Sequence, residues 1–68
     1  MNMRKLKGKI AEAGLTQREL AKRIGVSENT LARKIKGTRD FTIGEANRIC
    51  EELEIKDPSQ RADIFLTS

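Results

Sequence analysis

The 68-residue sequence predicts an all-α domain of five helices, compact and single, spanning residues 1–68. Three observations carry that expectation. Apolar residues recur at helical spacing along the whole chain, three cap signals (Thr16 with Glu19, Thr42 with Glu45, Asp57 with Pro58 and Gln60) mark helix starts, and single glycines at 14, 25 and 37 mark stops. Hydrophobic residues make up 37% and charged residues 35%, enough for a folded globule with a thin core. A chain of this length buries only about 60% of its unfolded surface.

The first helix runs from Met3 to Ala13, with Leu6 and Ile10 at i, i+4 and Gly14 as its stop; Leu15 then packs before the next element. Gly8 within it costs up to ~1 kcal/mol relative to Ala, so it either weakens the helix or permits a close crossing. Thr16 opens a second helix through a reciprocal capping box with Glu19, and Leu20, Ala21 and Ile24 give it an apolar stripe. Gly25 ends it, Val26 fills the corner, and Ser27 caps a third helix that runs through Leu31 and Ile35 to Gly37. Two short amphipathic helices joined by a three-residue turn form a helix-turn-helix.

At 100° per residue, Leu31 and Ile35 define the buried side of the third helix, and Asn29, Arg33 and Lys36 fall opposite. Glu28 and Thr30 flank that face in the first turn, the end from which such helices usually touch base edges. By itself a polar outer face is an ordinary solvated surface; the turn motif beside it supplies the functional reading.

The stretch TQRELAKRIGVSENTLARKIKG resembles the helix-turn-helix of the lambda-type phage repressor and Cro family, also called XRE-like. The likeness lies in Thr16-Gln17, Ala21 at the helix crossing, Gly25 in the turn, apolar Val26, Leu31 and Ile35, and the closing Lys36-Gly37, and it continues through the following helix. It implies a lambda-repressor-like DNA-binding fold. It also implies that Glu28, Asn29 and Arg33 face bases, with Thr30 joining them from its place flanking that face, and that Gln17, Lys36, Thr38 and Arg39 contact the sugar-phosphate backbone. The family often has Gln or Ser where this chain has Glu28 and Asn29, so the target sequence does not carry over. A Glu facing DNA needs a cytosine amino group or a cationic neighbour.

After the third helix, Gly37 to Asp40 is a polar connector anchored by Phe41. The fourth helix opens on the Thr42/Glu45 capping box and runs through Leu53, with Ile43, Ala46, Ile49, Cys50 and Leu53 expected inward and Glu51, Glu52 and Glu54 outward. Asp57, Pro58 and Gln60 start a short fifth helix. Its Ala62, Ile64, Phe65 and Leu66 either close the core or pair with a second copy, which makes Phe65 and Leu66 candidate dimerisation residues in the 57–68 tail.

The net charge of +4 is unevenly spread. Residues 1–39 hold eleven Lys/Arg against three Glu, a balance of +8, whereas residues 40–68 balance to −4. A polyanion attracted to one half and repelled by the other is oriented before specific contact forms.

No apolar run approaches the ~20 residues a membrane span needs, and no apolar stretch follows the basic start as in a signal peptide, so a cytoplasmic protein without membrane contact is expected. Cys50 sits in an apolar stripe and reads as core. With no histidine and one cysteine, neither a zinc site nor a nucleophile–base pair assembles, and no phosphate-cradling glycine loop is present. A non-enzyme without metal or cofactor is expected. The leading expectation is a Cro-like repressor that binds double-stranded DNA in the major groove of a palindromic operator as a homodimer, rather than a full-length lysogeny repressor with a cleavable C-terminal domain. The same fold also serves antitoxins and restriction-modification controllers, which neighbouring genes or a co-purifying partner would distinguish. A protein-interaction module without a DNA role would instead show little salt dependence and silent Asn29→Ala and Arg33→Ala variants.

Overall fold

Each cap signal opens the helix it marks. In the computed structural model, which describes residues 1–66, five helices follow one another: α1 (Met3–Glu12), α2 (Gln17–Ile24), α3 (Glu28–Lys36), α4 (Ile43–Glu52) and α5 (Pro58–Phe65). The end of the 57–68 tail, Thr67 and Ser68, lies outside the described residues. Thr16 and Thr42 accept the backbone N–H of Glu19 and Glu45 at 3.1 Å each, and both glutamates reach back to the cap N–H, completing two capping boxes. Ser27 caps α3, Asp57 caps α5, and Asn2 caps α1 by accepting from the N–H of Lys5.

Four helices end alike. A residue just past the helix donates its N–H to a carbonyl five residues back and the residue before it to one three residues back: Leu15 to Ile10, Val26 to Ala21, Thr38 to Arg33 and Ile55 to Cys50 are the longer bonds. This closure needs a left-handed residue, supplied before the two functional loops by Gly25 (φ 79°) and Gly37 (φ 90°). After α4 it is supplied by Glu54 at φ 54°, a non-glycine residue in a conformation disfavoured for side chains.

Leu6, Ile10, Leu20, Ala21, Leu31, Ile35, Ile49, Cys50, Leu53, Ile55 and Ile64 form one core drawn from all five helices, with Leu15, Ile24, Val26, Phe41 and Phe65 packed at its edge. The principal packing is α3 on α2, α2 on α4 and α1 on α5. The backbone N–H of Asn2 donates to the Ile64 carbonyl, and Lys5 pairs with Asp63 at 2.8 Å, so the two ends of the described chain meet.

Ile43, expected in the core, is 83% exposed. It is the first residue of α4 and lies about 70° from the middle of the Ala46, Ile49, Cys50, Leu53 stripe, so it overhangs the end of the packed region. Leu66, the residue after α5, is 82% exposed, whereas Ile64 is fully buried and Phe65 half-buried. Gly8 is exposed with nothing within 4 Å of where a Cβ would stand, so no close crossing explains it.

Candidate nucleic-acid interface

The α2–turn–α3 corner is fixed from both sides. Val26 packs against the core between two helices that share Leu20, Ala21, Leu31 and Ile35, and Gly25 N–H and Val26 N–H close the end of α2 on Lys22 and Ala21. The placement of α3 along and against α2 is therefore set mainly by apolar packing.

Asn29, Arg33 and Lys36 are exposed, as is Glu28 in the first turn, where the helix dipole favours its charge. Thr30 is half-buried; its hydroxyl oxygen accepts from Ser27 Oγ at 2.8 Å, which ties it to the cap and leaves its own O–H to donate outward. The α3 N-terminus is thus braced, with Glu28 and Asn29 exposed beside it.

Backbone-gripping candidates lie at the two ends of the motif. Gln17 is the first residue of α2, half-buried, and the Thr16/Glu19 capping box leaves the first-turn N–H groups of Gln17 and Arg18 for solvent or a phosphate oxygen. Those hydrogen bonds from Thr16, first through its N–H and then its hydroxyl, hold the Glu19 carboxyl below the usual glutamate range, so the cap stays ionised at neutral pH. At the other end Lys36 and Arg39 are exposed. Thr38 is exposed as well, but its hydroxyl donates to the Arg33 carbonyl at 2.8 Å and its N–H donates to the same oxygen at 3.1 Å. In this rotamer Thr38 finishes α3 and has no hydrogen left for a phosphate.

Charge pairing sharpens the division seen in the sequence. Lys5, Lys9, Arg23, Lys34 and Arg48 each pair with a carboxylate, and their partners are Asp63, Glu12, Glu52, Glu45 and Glu52. Arg33, Lys36 and Arg39 make no ion pair among the described residues, and neither do Arg18 and Lys22. Arg4, Lys7, Lys56 and Arg61 are likewise without an ion pair among the described residues, so the cations of the α3 outer face and of the loop after it are among several that the fold leaves for an external anion.

Sequence reasoning passed over Lys34. It lies on the flank of α3, donates from Nζ to Glu45 Oε1, and stands 5.9 Å from the centroid of the Phe41 ring. That hydrogen bond, followed by the one from the Thr42 N–H, holds the Glu45 carboxyl below the usual glutamate range. The available signal was its position one residue before core Ile35, on the side facing the next capping box.

A family model described as the Cro/C1-type HTH DNA-binding domain matches residues 5–60, most of the chain and all of the motif. The chain belongs to the Cro/C1-type helix-turn-helix family. No curated protein and no solved structure gives a significant match. The resemblance read from Thr16 to Gly37 and the all-α five-helix fold therefore stand on both the family and the structure. This Cro/C1-type domain makes the protein a DNA-binding regulator, and its family is one of DNA-binding domains rather than enzymes. Phe65 and Leu66 fall outside the matched residues. No helix among the described residues is long and apolar enough to cross a membrane.

Proposed function

We propose that this protein is a Cro-like, sequence-specific repressor of phage or prophage type that acts in the cytoplasm without catalysis, residues 1–68 working as one domain. It binds a palindromic operator as a homodimer. Each subunit lays α3 in the major groove, with half-sites roughly one helical turn, ~34–36 Å, apart, and represses by covering a promoter. Asn29 pairs with adenine and Arg33 with guanine, their usual bidentate partners; Glu28 and Thr30 adjust the choice beside them. Gln17, Lys36 and Arg39 grip phosphates and set register, with Thr38 joining them only if its hydroxyl leaves the Arg33 carbonyl.

The observation that carries this reading is the set of unpaired, exposed polar residues on α3 (Asn29, Arg33, Lys36), held opposite a fully buried stripe in a family of DNA-binding domains. Dimerisation is supported by a different feature. Ile43 and Leu66, both more than four-fifths exposed, flank an apolar groove lined by Ala46, Cys50, Ala62 and Phe65. A second copy covering it would bury the largest apolar side chains left in water.

Selection from a random double-stranded DNA library at low and moderate salt tests the proposal. A two-fold symmetric sequence that survives moderate salt is the expected result, because binding that only neutralises phosphates collapses steeply as salt rises. Salt-sensitive binding without enrichment would overturn it. The same groove favours one second reading, an antitoxin whose partner protein covers Ile43 and Leu66; purification as a homodimer with no partner counts against that.

A further inference from the structure

We infer that Lys34 is a positioning residue for base reading: its ammonium, held between the Glu45 carboxylate and the Phe41 ring, fixes the roll of α3 and so the aim of Asn29 and Arg33. The inference rests on the proposal that α3 reads bases.

Three cations lie on α3, and two of them, Arg33 and Lys36, are exposed. The Lys34 side chain is only 11% exposed and its partner Glu45 only 19%. Glu45 is itself immobilised, since the oxygen that accepts from Lys34 also accepts the Thr42 N–H at 2.9 Å in the capping box. Lys34 therefore ties α3 to the first turn of α4 across the loop that carries Arg39.

Geometry explains why such a tie matters. The Leu31/Ile35 stripe presses α3 onto α2 along one line, and apolar contact along a line opposes translation better than rotation about it. Lys34 projects roughly 80° from the middle of that stripe, where a restraint has leverage against roll. A roll of ~10° displaces a side-chain end ~6 Å from the helix axis by ~1 Å. That is enough to spoil a bidentate hydrogen bond from Arg33 or Asn29 to a base. The ammonium already has a carboxylate acceptor and an aromatic face, so its charge is satisfied inside the protein.

Three variants separate aiming from direct DNA contact. Glu45→Gln removes the charge partner but keeps a side chain that completes a capping box, so α4 stays formed. Lys34→Met keeps an unbranched side chain of similar length and removes the ammonium, and Lys34→Arg keeps the positive charge. The probes are the duplex enriched by wild type from the random library and versions with single changes at the bases read by Asn29 and Arg33. Glu45→Gln and Lys34→Met are expected to lower discrimination between them by about fivefold to tenfold, the coupling of a contacting pair, with Lys34→Arg retaining most of it. If Lys34 instead touches a phosphate, Lys34→Met weakens all duplexes alike and flattens the salt slope by about 0.9, while Glu45→Gln leaves discrimination intact; that result overturns the inference.

Amide dipolar couplings of the DNA-free protein give a readout independent of the operator. A reorientation of α3 relative to α2 in Glu45→Gln is expected, and an unchanged orientation overturns the positioning role even where the wild type reads DNA as proposed. A wild type that enriches no duplex sinks base reading first, and aiming with it.

Discussion

Phe41 and Phe65 meet edge to face, their ring centroids 5.6 Å apart and their planes at 86°. The contact joins the loop after α3 to the last helix, so the chain's two aromatic residues meet at the edge of the core. With Lys34 above the Phe41 ring, the end of the α3 loop is packed from both directions. Phe41→Ala is expected to destabilise the domain by about 2–3 kcal/mol, below the full cost of a core Phe because Phe41 is only half-buried. Urea unfolding measures it, and a loss under about 0.5 kcal/mol, the range of an ordinary surface change, would show that the ring contact contributes little.

Glu54 offers the opposite test. Its left-handed backbone stores strain at the position where the equivalent closures after α2 and α3 use glycine. The residue also adds negative charge beside Glu51 and Glu52 at the C-terminal end of α4, where the helix dipole disfavours it. Glu54→Gly is expected to stabilise the protein by about 1 kcal/mol, with Glu54→Ala gaining less because it keeps the Cβ. Equal midpoints for the two variants would remove backbone strain as the cause.

Ile43→Asp and Leu66→Asp put charge on the two apolar side chains left most exposed. Exposed substitutions of this kind change monomer stability by about 0.5 kcal/mol or less, and Asp at the first residue of α4 suits the helix dipole. Sedimentation velocity should therefore show a dimer-to-monomer shift without loss of helical content. A wild type that sediments as a monomer at every accessible concentration contradicts the proposed interface.

Acid should loosen the α3–α4 tie before it unfolds the core. The Glu45 carboxyl is held below the usual range by Lys34 and by the Thr42 N–H, so protons bind it more readily in the unfolded chain than in the folded one. Its contribution is complete above the ordinary glutamate value near 4.5 and is lost as pH falls through the lower folded value. Glu19 acts in the same direction at the α2 cap. Unfolding midpoints of wild type and Glu45→Gln should converge as pH drops below about 4.5, and a gap that stays constant to pH 3 would exclude this linkage.

The parts legible in the sequence are those specified locally. Thr16, Ser27, Thr42 and Asp57 act within three residues of themselves, and Gly25 and Gly37 need nothing beyond their own backbone, so helix starts, stops and the turn could be read directly. Features that depend on distant neighbours were not. Ile43 matched the α4 period, yet where packing stops along a helix is a tertiary fact. Phe65 and Leu66 are adjacent and similarly apolar, and only the position of Phe41 separates the packed ring from the exposed side chain. Lys34 is one basic residue among several until Glu45 is brought beside it, and Thr38 reads as a phosphate ligand until its hydroxyl is found on the Arg33 carbonyl. The outward residues of α3 were legible because Leu31 and Ile35 fix the helix's inner side.

The central claim, that Arg33 reads bases while Arg39 only grips the backbone, is tested most directly by titrating both alanine variants on the selected operator and on scrambled duplex across a salt series. Arg33→Ala should lose about 1–3 kcal/mol of discrimination and relax the preferred base at its position. Arg39→Ala should weaken both duplexes alike and flatten the salt slope by about 1, with discrimination unchanged. Full discrimination retained by Arg33→Ala would contradict the account of how α3 reads DNA.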